Sequence, residues 1–350
     1  LCPLYKKPSG ARIMAYTDID DPSAYFQTTL YTGNGSNRDI TGVGFQPNFT
    51  WIKQRNGTFS HVLGNSVSGD NKFLSSNGTG VESTDSDKFR TFVSDGFQVG
   101  THNGVNGGSK TYVGWSWKES ATAGFDIVAY TGNATGGRTV AHSLSAVPAM
   151  MIVKNRAASI KWAVYHKNNT AAPETDHLKL NATDPTEDDD STWNDTAPTS
   201  SVFSLGGSTS TNGDGTAYIA YLFADVKGYS KFGSYTGNGN ANGTFVYTGF
   251  KPAWTLIKRT DSATGGSWIL FDNKRGTNVI NPVDVVMSAS NNQSEDDWGT
   301  TYDCDYLSNG FKWRFNGSGG YNNASGGTYI YMAFAENPFV TSTGVPATAR

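Results

Sequence analysis

Large apolar residues alternate with smaller ones in three segments of the chain. Each segment begins at a tyrosine, and the heavy positions are Val113, Trp115 and Trp117, then Ile219, Tyr221 and Phe223, then Ile330, Met332 and Phe334. A period of two with one heavy face is typical of a β-strand that packs that face on a core. We therefore expect three aromatic strands, each of which closes the core of its own part of the chain.

Other signals recur with these strands at a period of about a hundred residues, which indicates an internal repeat. Tyr-Thr-Gly-Asn occurs at 31–34, 130–133 and 235–238. An apolar run that begins at a proline and ends on a lysine follows each copy, and an asparagine precedes each aromatic strand. The lysines are Lys53, Lys154 and Lys258, and the asparagines are Asn106, Asn212 and Asn323. The chain is therefore one unit used three times.

Short β-prone segments separated by turn residues fill each repeat. Asn56-Gly57 lies between two such segments of the first repeat and is a hairpin signal. This spacing predicts an all-β protein of three tandem antiparallel β-sandwich domains. We expect the domains at 14–120, 121–227 and 228–340. A leader or extension at 1–13 and a C-terminal tail at 341–350 complete the division.

Composition agrees with strands and turns. The 41 Gly, 17 Tyr, 19 Phe and 9 Trp favour β-structure over helices. A net charge of −3 gives no basic surface for nucleic acid, and no apolar run reaches the length of a membrane span. We therefore expect neither a nucleic-acid partner nor membrane insertion. The only two cysteines, Cys2 and Cys304, predict free thiols rather than a disulfide framework.

No known catalytic motif occurs in the sequence. The five histidines, His61, His102, His142, His166 and His177, are scattered singly without metal-ligand spacing, and we expect them at surface or half-buried strand positions. No pair of strand carboxylates suits glycoside hydrolysis. The repeated lysines are expected to keep sheet edges soluble. We therefore predict a protein that is not an enzyme and has no cofactor.

Acidic residues concentrate in loops at matching places in the repeats, and two of these loops are followed by a tryptophan. The candidate ligand-binding residues are Asp188, Asp190, Asp296, Asp297, Trp193 and Trp298. Clustered carboxylates can coordinate Ca²⁺, and an exposed tryptophan beside them can stack on a sugar ring. The alternative is a solvated acidic loop whose tryptophan folds back onto the edge of the sandwich.

Three stretches resemble a known family: 229–238, Pro252-Ala-Trp-Thr-Leu-Ile-Lys258 and the closing Ala333-Phe-Ala-Glu-Asn-Pro-Phe339. They are similar to tandem-repeat virion structural proteins of marine and cyanobacterial tailed phages. The resemblance implies concanavalin A-like, SPRY-like or jelly-roll β-sandwich repeats in a fibre, appendage or capsid-surface protein. It brings no catalytic residues. The second repeat departs from the pattern at Met150-Met151-Ile152.

These observations predict a non-enzymatic virion structural protein, used as a tail fibre, appendage or capsid decoration and involved in host attachment by carbohydrate binding. We expect three sandwiches in a row, on the virion surface, with other virion proteins and a host cell-surface polysaccharide as partners. A homo-oligomer is expected, a trimer if the protein is a fibre, while a capsid protein could cluster its three sandwiches as a pseudo-trimer. The alternatives are an extracellular bacterial lectin or carbohydrate-binding module and, less favoured, a polysaccharide depolymerase.

Overall fold

The computed structural model describes residues 17–276, 281–297, 302–317 and 319–346. The first repeat contains a 3-10 helix (Pro22–Ala24), one short α-helix and nine strands. These are β1 (Phe26–Thr32), β2 (Arg38–Thr41), β3 (Phe49–Gln54), β4 (Val62–Asn65), β5 (Lys72–Phe73), β6 (Ser83–Thr84), β7 (Phe89–Val93), β8 (Gly96–Val99), α1 (Asn103–Asn106) and β9 (Thr111–Trp117).

The other two repeats have a similar order of strands. The second contains β10 (Phe125–Thr131), β11 (Arg138–Ala141), β12 (Met150–Asn155), β13 (Ala163–His166), a 3-10 helix (Pro173–Thr175), β14 (Asp176–Lys179), β15 (Glu187–Asp188), α2 (Asp190–Trp193), β16 (Val202–Leu205) and β17 (Ala217–Phe223). The third contains β18 (Ser230–Thr236), β19 (Phe245–Tyr247), β20 (Phe250–Arg259), β21 (Ile269–Asp272), β22 (Val285–Ser288), β23 (Asp296–Asp297), β24 (Cys304–Leu307), β25 (Gly310–Trp313) and β26 (Thr328–Pro338). The helix α2 precedes β16 in the second repeat, whereas α1 follows β8 in the first. The all-β prediction is confirmed.

Each repeat forms one larger and at least one smaller antiparallel sheet. The larger sheets have the orders β1-β9-β3-β4, β10-β17-β12-β13-β14-β15 and β18-β26-β20-β21-β22-β23. The smaller sheets are β2-β8-β7, β11-β16 and β19-β25-β24, and β5 pairs with β6. The strands of each sheet come from a single repeat. The division into three domains and their jelly-roll character stay predictions.

A buried cluster lies between the larger and smaller sheet of each repeat. In the first repeat, Ile40 and Phe97 of the smaller sheet pack with Ile52 and Val62 of the larger. The second and third repeats have equivalent clusters, which contain Phe203 and Phe311. One face of each larger sheet is therefore covered from within the repeat, in a sandwich-like arrangement.

The opposite faces of the three larger sheets meet in one shared core, and the predicted role of the aromatic strands is wrong in this respect. The heavy positions of β9, β17 and β26 belong to this common cluster rather than to the cores of their own repeats. Trp117 lies 5.6 Å from Trp254, and Phe49 lies 4.6 Å from Tyr221, between ring centroids. Because Phe26 also stacks on Phe334 at 5.2 Å, the first and third repeats touch. The three repeats are thus arranged around a centre and not in a row.

Equivalent hydrogen bonds cross the three boundaries between repeats, which we call seams. Trp162 Nε1 donates to the Ser75 carbonyl at 3.1 Å, and Trp268 Nε1 donates to the Lys179 carbonyl at 2.9 Å. At the third seam, His61 replaces the tryptophan, and its Nε2 lies 3.0 Å from the Ser288 carbonyl. Each repeat therefore bonds to a different neighbour, and the ring of three closes.

Candidate functional site

The two sequence anchors of each repeat bind each other. In the first repeat, Asn106 Oδ1 accepts from the Asn34 backbone N–H at 3.1 Å, and Asn106 Nδ2 donates to the Gly100 carbonyl at 2.9 Å. Tyr31 stacks on Tyr112 with centroids 5.1 Å apart. The same contacts recur through Asn212 with Asn133 and through Asn323 with Asn238. The repeated Tyr-Thr-Gly-Asn motif therefore joins the two ends of each repeat.

The repeated lysines Lys53, Lys154 and Lys258 are the second-to-last residues of β3, β12 and β20, and all three are wholly buried. The prediction that they solubilise sheet edges is therefore wrong. Each larger sheet has further strands on both sides of these positions. The Lys53 ammonium donates to the carbonyls of Gln54 and Gly57 at 2.8 and 2.9 Å, and Lys154 and Lys258 bind carbonyls in the same manner. Burial lowers the pKa of Lys53 and Lys154 to about 8 and that of Lys258 to about 7.

Two histidines are buried at seams rather than lying at surface or half-buried positions. His61 Nδ1 accepts from Trp51 Nε1 at 2.8 Å, so the ring proton is on Nε2. This Nε2–H donates to the Ser288 carbonyl of the third repeat. His166 Nε2 lies 3.1 Å from the Tyr331 carbonyl, and its Nδ1 accepts from the Asn168 N–H. Burial lowers the pKa of His61 to about 3 and that of His166 to about 4. Both rings are therefore neutral connectors.

Trp193 is buried, which agrees with the alternative in which the tryptophan folds back onto the sandwich and not with an exposed ring. Its ring is 1% exposed and packs in the core of the second repeat, 6.0 Å from Tyr165 between centroids. The reason is local: α2 is a single turn capped by Asp189, whose carboxylate accepts from the Ser191 N–H at 2.9 Å, and this turn directs the ring inward. Trp193 offers no exposed face to a sugar. Trp298 lies outside the described residues.

The candidate aspartates do not converge on one point. Asp188 ends β15 and Asp190 begins α2, and both are exposed. Asp296 is exposed in the third repeat, where Asp297 pairs in backbone register with Val285. Within the described ranges, no group of three or more His, Cys, Asp or Glu side chains could hold a metal ion. Calcium binding stays a prediction.

The matching acidic loops lie at the seams. The Glu82 N–H donates to the Arg156 carbonyl at 2.9 Å, and the Glu295 N–H donates to the Arg55 carbonyl at 2.8 Å. At the seam between the second and third repeats, Thr186 N–H and the Thr260 carbonyl make the equivalent bond, also at 2.9 Å. The side chains of Glu82 and Arg156 add an ion pair at 2.7 Å. The loops recur in the sequence because each one joins two repeats.

A charged cavity of about 360 Å³ lies beside the acidic loop of the second repeat. Lys161, Trp162, His177 and Lys179 line it, together with Thr79 of the first repeat. Lys179 hydrogen-bonds to Glu187 and Asp184, and Lys161 pairs with Asp184 at 3.6 Å. His177 Nδ1 is buried with no hydrogen-bond partner, and burial lowers the pKa of this ring. The cavity could accept a polar ligand that hydrogen-bonds to the imidazole.

The second and third repeats each have a cavity at this position, but only the second repeat has the histidine and the lysine. In the third repeat, the positions of His177 and Lys179 hold Val286 and Ser288, which line a cavity of about 200 Å³ together with Asp296. Sequence reasoning missed His177 and Lys179. The signal was present, since both alternate on the strand that immediately precedes the acidic run.

A third surface cavity, of about 540 Å³, lies where the second and third repeats meet the C-terminal segment. Asp225, Lys231, Tyr247, Thr248 and Phe339 are among its lining residues. The Tyr247 ring is 59% exposed, and the Asp225 carboxylate pairs with Lys231 at 3.7 Å. An exposed aromatic ring beside hydrogen-bonding groups suits a ligand with both an apolar face and hydroxyl groups.

A family model described as Domain of unknown function (DUF7483) matches residues 21–338. The chain belongs to this family. A search of curated proteins found no match. The DUF7483 match runs through all three repeats, so it includes the seams, the cavity at His177, and most of the shared core and of the cavity at Tyr247. In the part of this DUF7483 protein that the structure describes, no helix is long and apolar enough to cross a membrane.

Proposed function

We propose that this protein is a non-enzymatic structural component of a phage particle and lies on the virion surface as a fibre, appendage or capsid decoration. In this proposal the repeats are three β-sandwich modules of the jelly-roll or concanavalin A-like kind. The observation that supports it is the closed ring of repeats around one aromatic core. Such a block is rigid, because its modules share buried apolar surface and cannot swing on linkers.

The arrangement favours the pseudo-trimer on a capsid over a fibre built of modules in a row. Three equivalent sheets face one centre, and three equivalent hydrogen bonds cross the seams. Pseudo-threefold symmetry within one chain matches the symmetry of a threefold position on a particle, where the three repeats would meet equivalent neighbours. The motif residues that repeat are used internally, which leaves the loops free to contact other virion proteins.

Host attachment is the second part of the proposal. A surface polysaccharide of the host is the ligand class we propose, and the cavity at Tyr247 supports it better than the loop that contains the buried Trp193. An exposed ring can stack on the apolar face of a sugar, while Asp225 and Lys231 can hydrogen-bond to hydroxyl groups. A secreted lectin would use the same cavity, and this is the alternative function that the exposed Tyr247 ring favours.

Location on particles separates the two functions. Virions are purified by density gradient from an infected culture, and the chain is quantified by mass spectrometry beside the major capsid protein and located by immunogold labelling. A virion component stays at a constant ratio to the capsid protein across the gradient and labels intact particles. A chain that remains in the particle-free supernatant and still binds glycans is a lectin, and this result would overturn the proposal.

A further inference from the structure

One carboxylate in the third repeat bridges an amine and a side-chain amide. Glu336 Oε1 lies 3.3 Å from Lys251 Nζ, and Glu336 Oε2 accepts from Asn273 Nδ2 at 2.7 Å. Lys251 and Asn273 are each 7% exposed. The site therefore brings together the nucleophilic nitrogen of Lys251, the amide carbonyl carbon of Asn273 and the carboxylate of Glu336, which can transfer protons.

Three adjacent strands hold these residues in place. Lys251 belongs to β20, the strand between β26 and β21. Glu336 lies on β26, and Asn273 follows β21 directly, where its N–H donates to the Ala253 carbonyl at 2.9 Å. The β20–β26 register shifts between Lys251 and Pro252 and again between Pro252 and Trp254. Lys251 and Glu336 thus lie on sheet strands, and a backbone hydrogen bond ties Asn273 to β20, which fixes the relative positions of the three side chains.

We propose that Lys251 and Asn273 form an intramolecular isopeptide bond, with Glu336 as the general acid and base. Glu336 first takes a proton from the Lys251 ammonium. The free Nζ electron pair then attacks Asn273 Cγ and forms the new C–N bond. Glu336 transfers this proton to Nδ2 and takes the second proton from Nζ, and ammonia leaves as the old C–N bond breaks and the carbonyl re-forms. The ammonia then carries the second proton away as ammonium, which returns Glu336 to its carboxylate form. One amide replaces another, no group is oxidised or reduced, and Glu336 shuttles protons without being consumed.

The surroundings leave room for the departing molecule. A cavity of about 110 Å³ is lined by Asn273, Glu336 and Phe26. This volume has room for a molecule the size of ammonia, because water occupies about 30 Å³ in the liquid.

The other two repeats show that the arrangement is not a default of the fold. Backbone hydrogen bonds place Ser66 and Lys167 where the third repeat has Asn273. The carboxylate is retained as Glu119 and Asp225, and these accept the N–H groups of Ile127 and Phe232. The third repeat is therefore the only one of the three in which a lysine and an asparagine both bind this carboxylate.

The inference is independent of the proposed function and is tested on the full chain by mass. The intact protein is expected to weigh less than its sequence by one molecule of ammonia, and tandem mass spectrometry is expected to find a branched peptide that joins Lys251 to Asn273. Lys251→Arg, Asn273→Ala and Glu336→Gln should each restore the uncorrected mass. Lys167→Arg and Glu119→Gln, at the equivalent places in other repeats, are matched controls that should keep the deficit.

Two results would overturn the proposal. The first is a wild-type chain at its full sequence mass after expression and prolonged incubation. The second is a deficit that persists in Lys251→Arg, because succinimide formation at an asparagine also releases ammonia but needs no lysine. If a variant fails to fold, the wild-type mass and its branched peptide still decide the question.

Discussion

The Arg55 guanidinium of the first repeat and the Glu295 carboxylate of the third form an ion pair with a nitrogen–oxygen distance of 2.8 Å. Arg55 Nη2 also donates to the Arg275 carbonyl at 3.1 Å. Both side chains of the pair are about four-fifths buried. The pair therefore fastens the first repeat to the last, at the seam that closes the ring.

Arg55→Met is expected to lower the free energy of unfolding by roughly 2 kcal/mol, because it leaves a partly buried carboxylate without its main partner. Urea denaturation followed by tryptophan fluorescence measures the change. Lys161→Met is the control, since its pair with Asp184 is nearly half exposed and should contribute less than about 1 kcal/mol. Equal losses in the two variants would show that the seam pair has no special role.

Acid should weaken the fold through the buried histidines. The unfolded His166 titrates near 6.5, whereas burial lowers its pKa in the folded protein to about 4. The stability that the neutral, buried His166 ring contributes is fully present above the pKa of the unfolded state. It is lost as the pH falls from about 6.5 towards 4, because in this range only the unfolded state takes up the proton. Denaturation midpoints between pH 7 and 4 should fall less steeply in His166→Gln. Parallel curves for the two proteins would contradict this prediction.

Alkaline pH should relieve the cost of burying Lys258. Burial lowers its pKa to about 7 in the folded protein, while the unfolded lysine keeps a value near 10.4. Between these values the unfolded state binds the extra proton, so stability rises with pH. Tyrosine ionisation affects wild type and variant alike. The difference in unfolding free energy between wild type and Lys258→Met should therefore shift in favour of wild type from pH 7 to 10, and a constant difference would refute the assignment.

The glycine of the Tyr-Thr-Gly-Asn motif should not tolerate a side chain. A Cβ at Gly33 would overlap the backbone carbonyl of Gly107, which cannot move without disturbing the clamp around Asn106. Gly33→Ala is expected to cost roughly 1 to 3 kcal/mol, measured by thermal unfolding. Gly108→Ala is the matched control, because a Cβ there meets open space. Similar melting temperatures for both variants would remove the argument that close approach explains the motif.

Glycan binding at the cavity lined by Tyr247 should depend on the ring of that residue. On an array of bacterial surface polysaccharides, Tyr247→Ala should reduce binding about tenfold or more, because the stacking ring is lost. Phe245→Ala is the matched control, since Phe245 is exposed on the same strand but does not line the cavity. If EDTA abolishes glycan binding and the Tyr247→Ala variant binds as well as wild type, the site is instead a calcium site in the acidic loops.

Repetition in the sequence predicted much of the fold. The strands that contain the apolar runs and the aromatic positions formed where the pattern placed them, and the two anchors, Asn34 and Asn106, proved to be partners. The sequence could not predict which core the large residues of each aromatic strand pack on. Alternation shows that Trp115 and Trp117 share a face, but both faces of β9 are covered, one by its own repeat and the other by the rest of the chain.

The candidate site was harder to predict, because the sequence does not show whether a side chain points to solvent or to the core. A tryptophan beside aspartates has the same sequence whether its ring points to solvent or to the core, and the single turn of α2 decides this for Trp193. A lysine at the end of an apolar run normally reaches water, yet Lys53 finds carbonyl acceptors inside. These outcomes depend on contacts between distant parts of the chain, which local composition does not record.

The common centre also limits how such a protein can be cut or rearranged. Trp117, Tyr221 and Phe334 each come from a different third of the polypeptide, and each is almost wholly buried in the shared core. A fragment that contained one third alone would expose its share of this apolar surface to water, which favours aggregation. The complete triplet is therefore the smallest fragment that we expect to fold by itself.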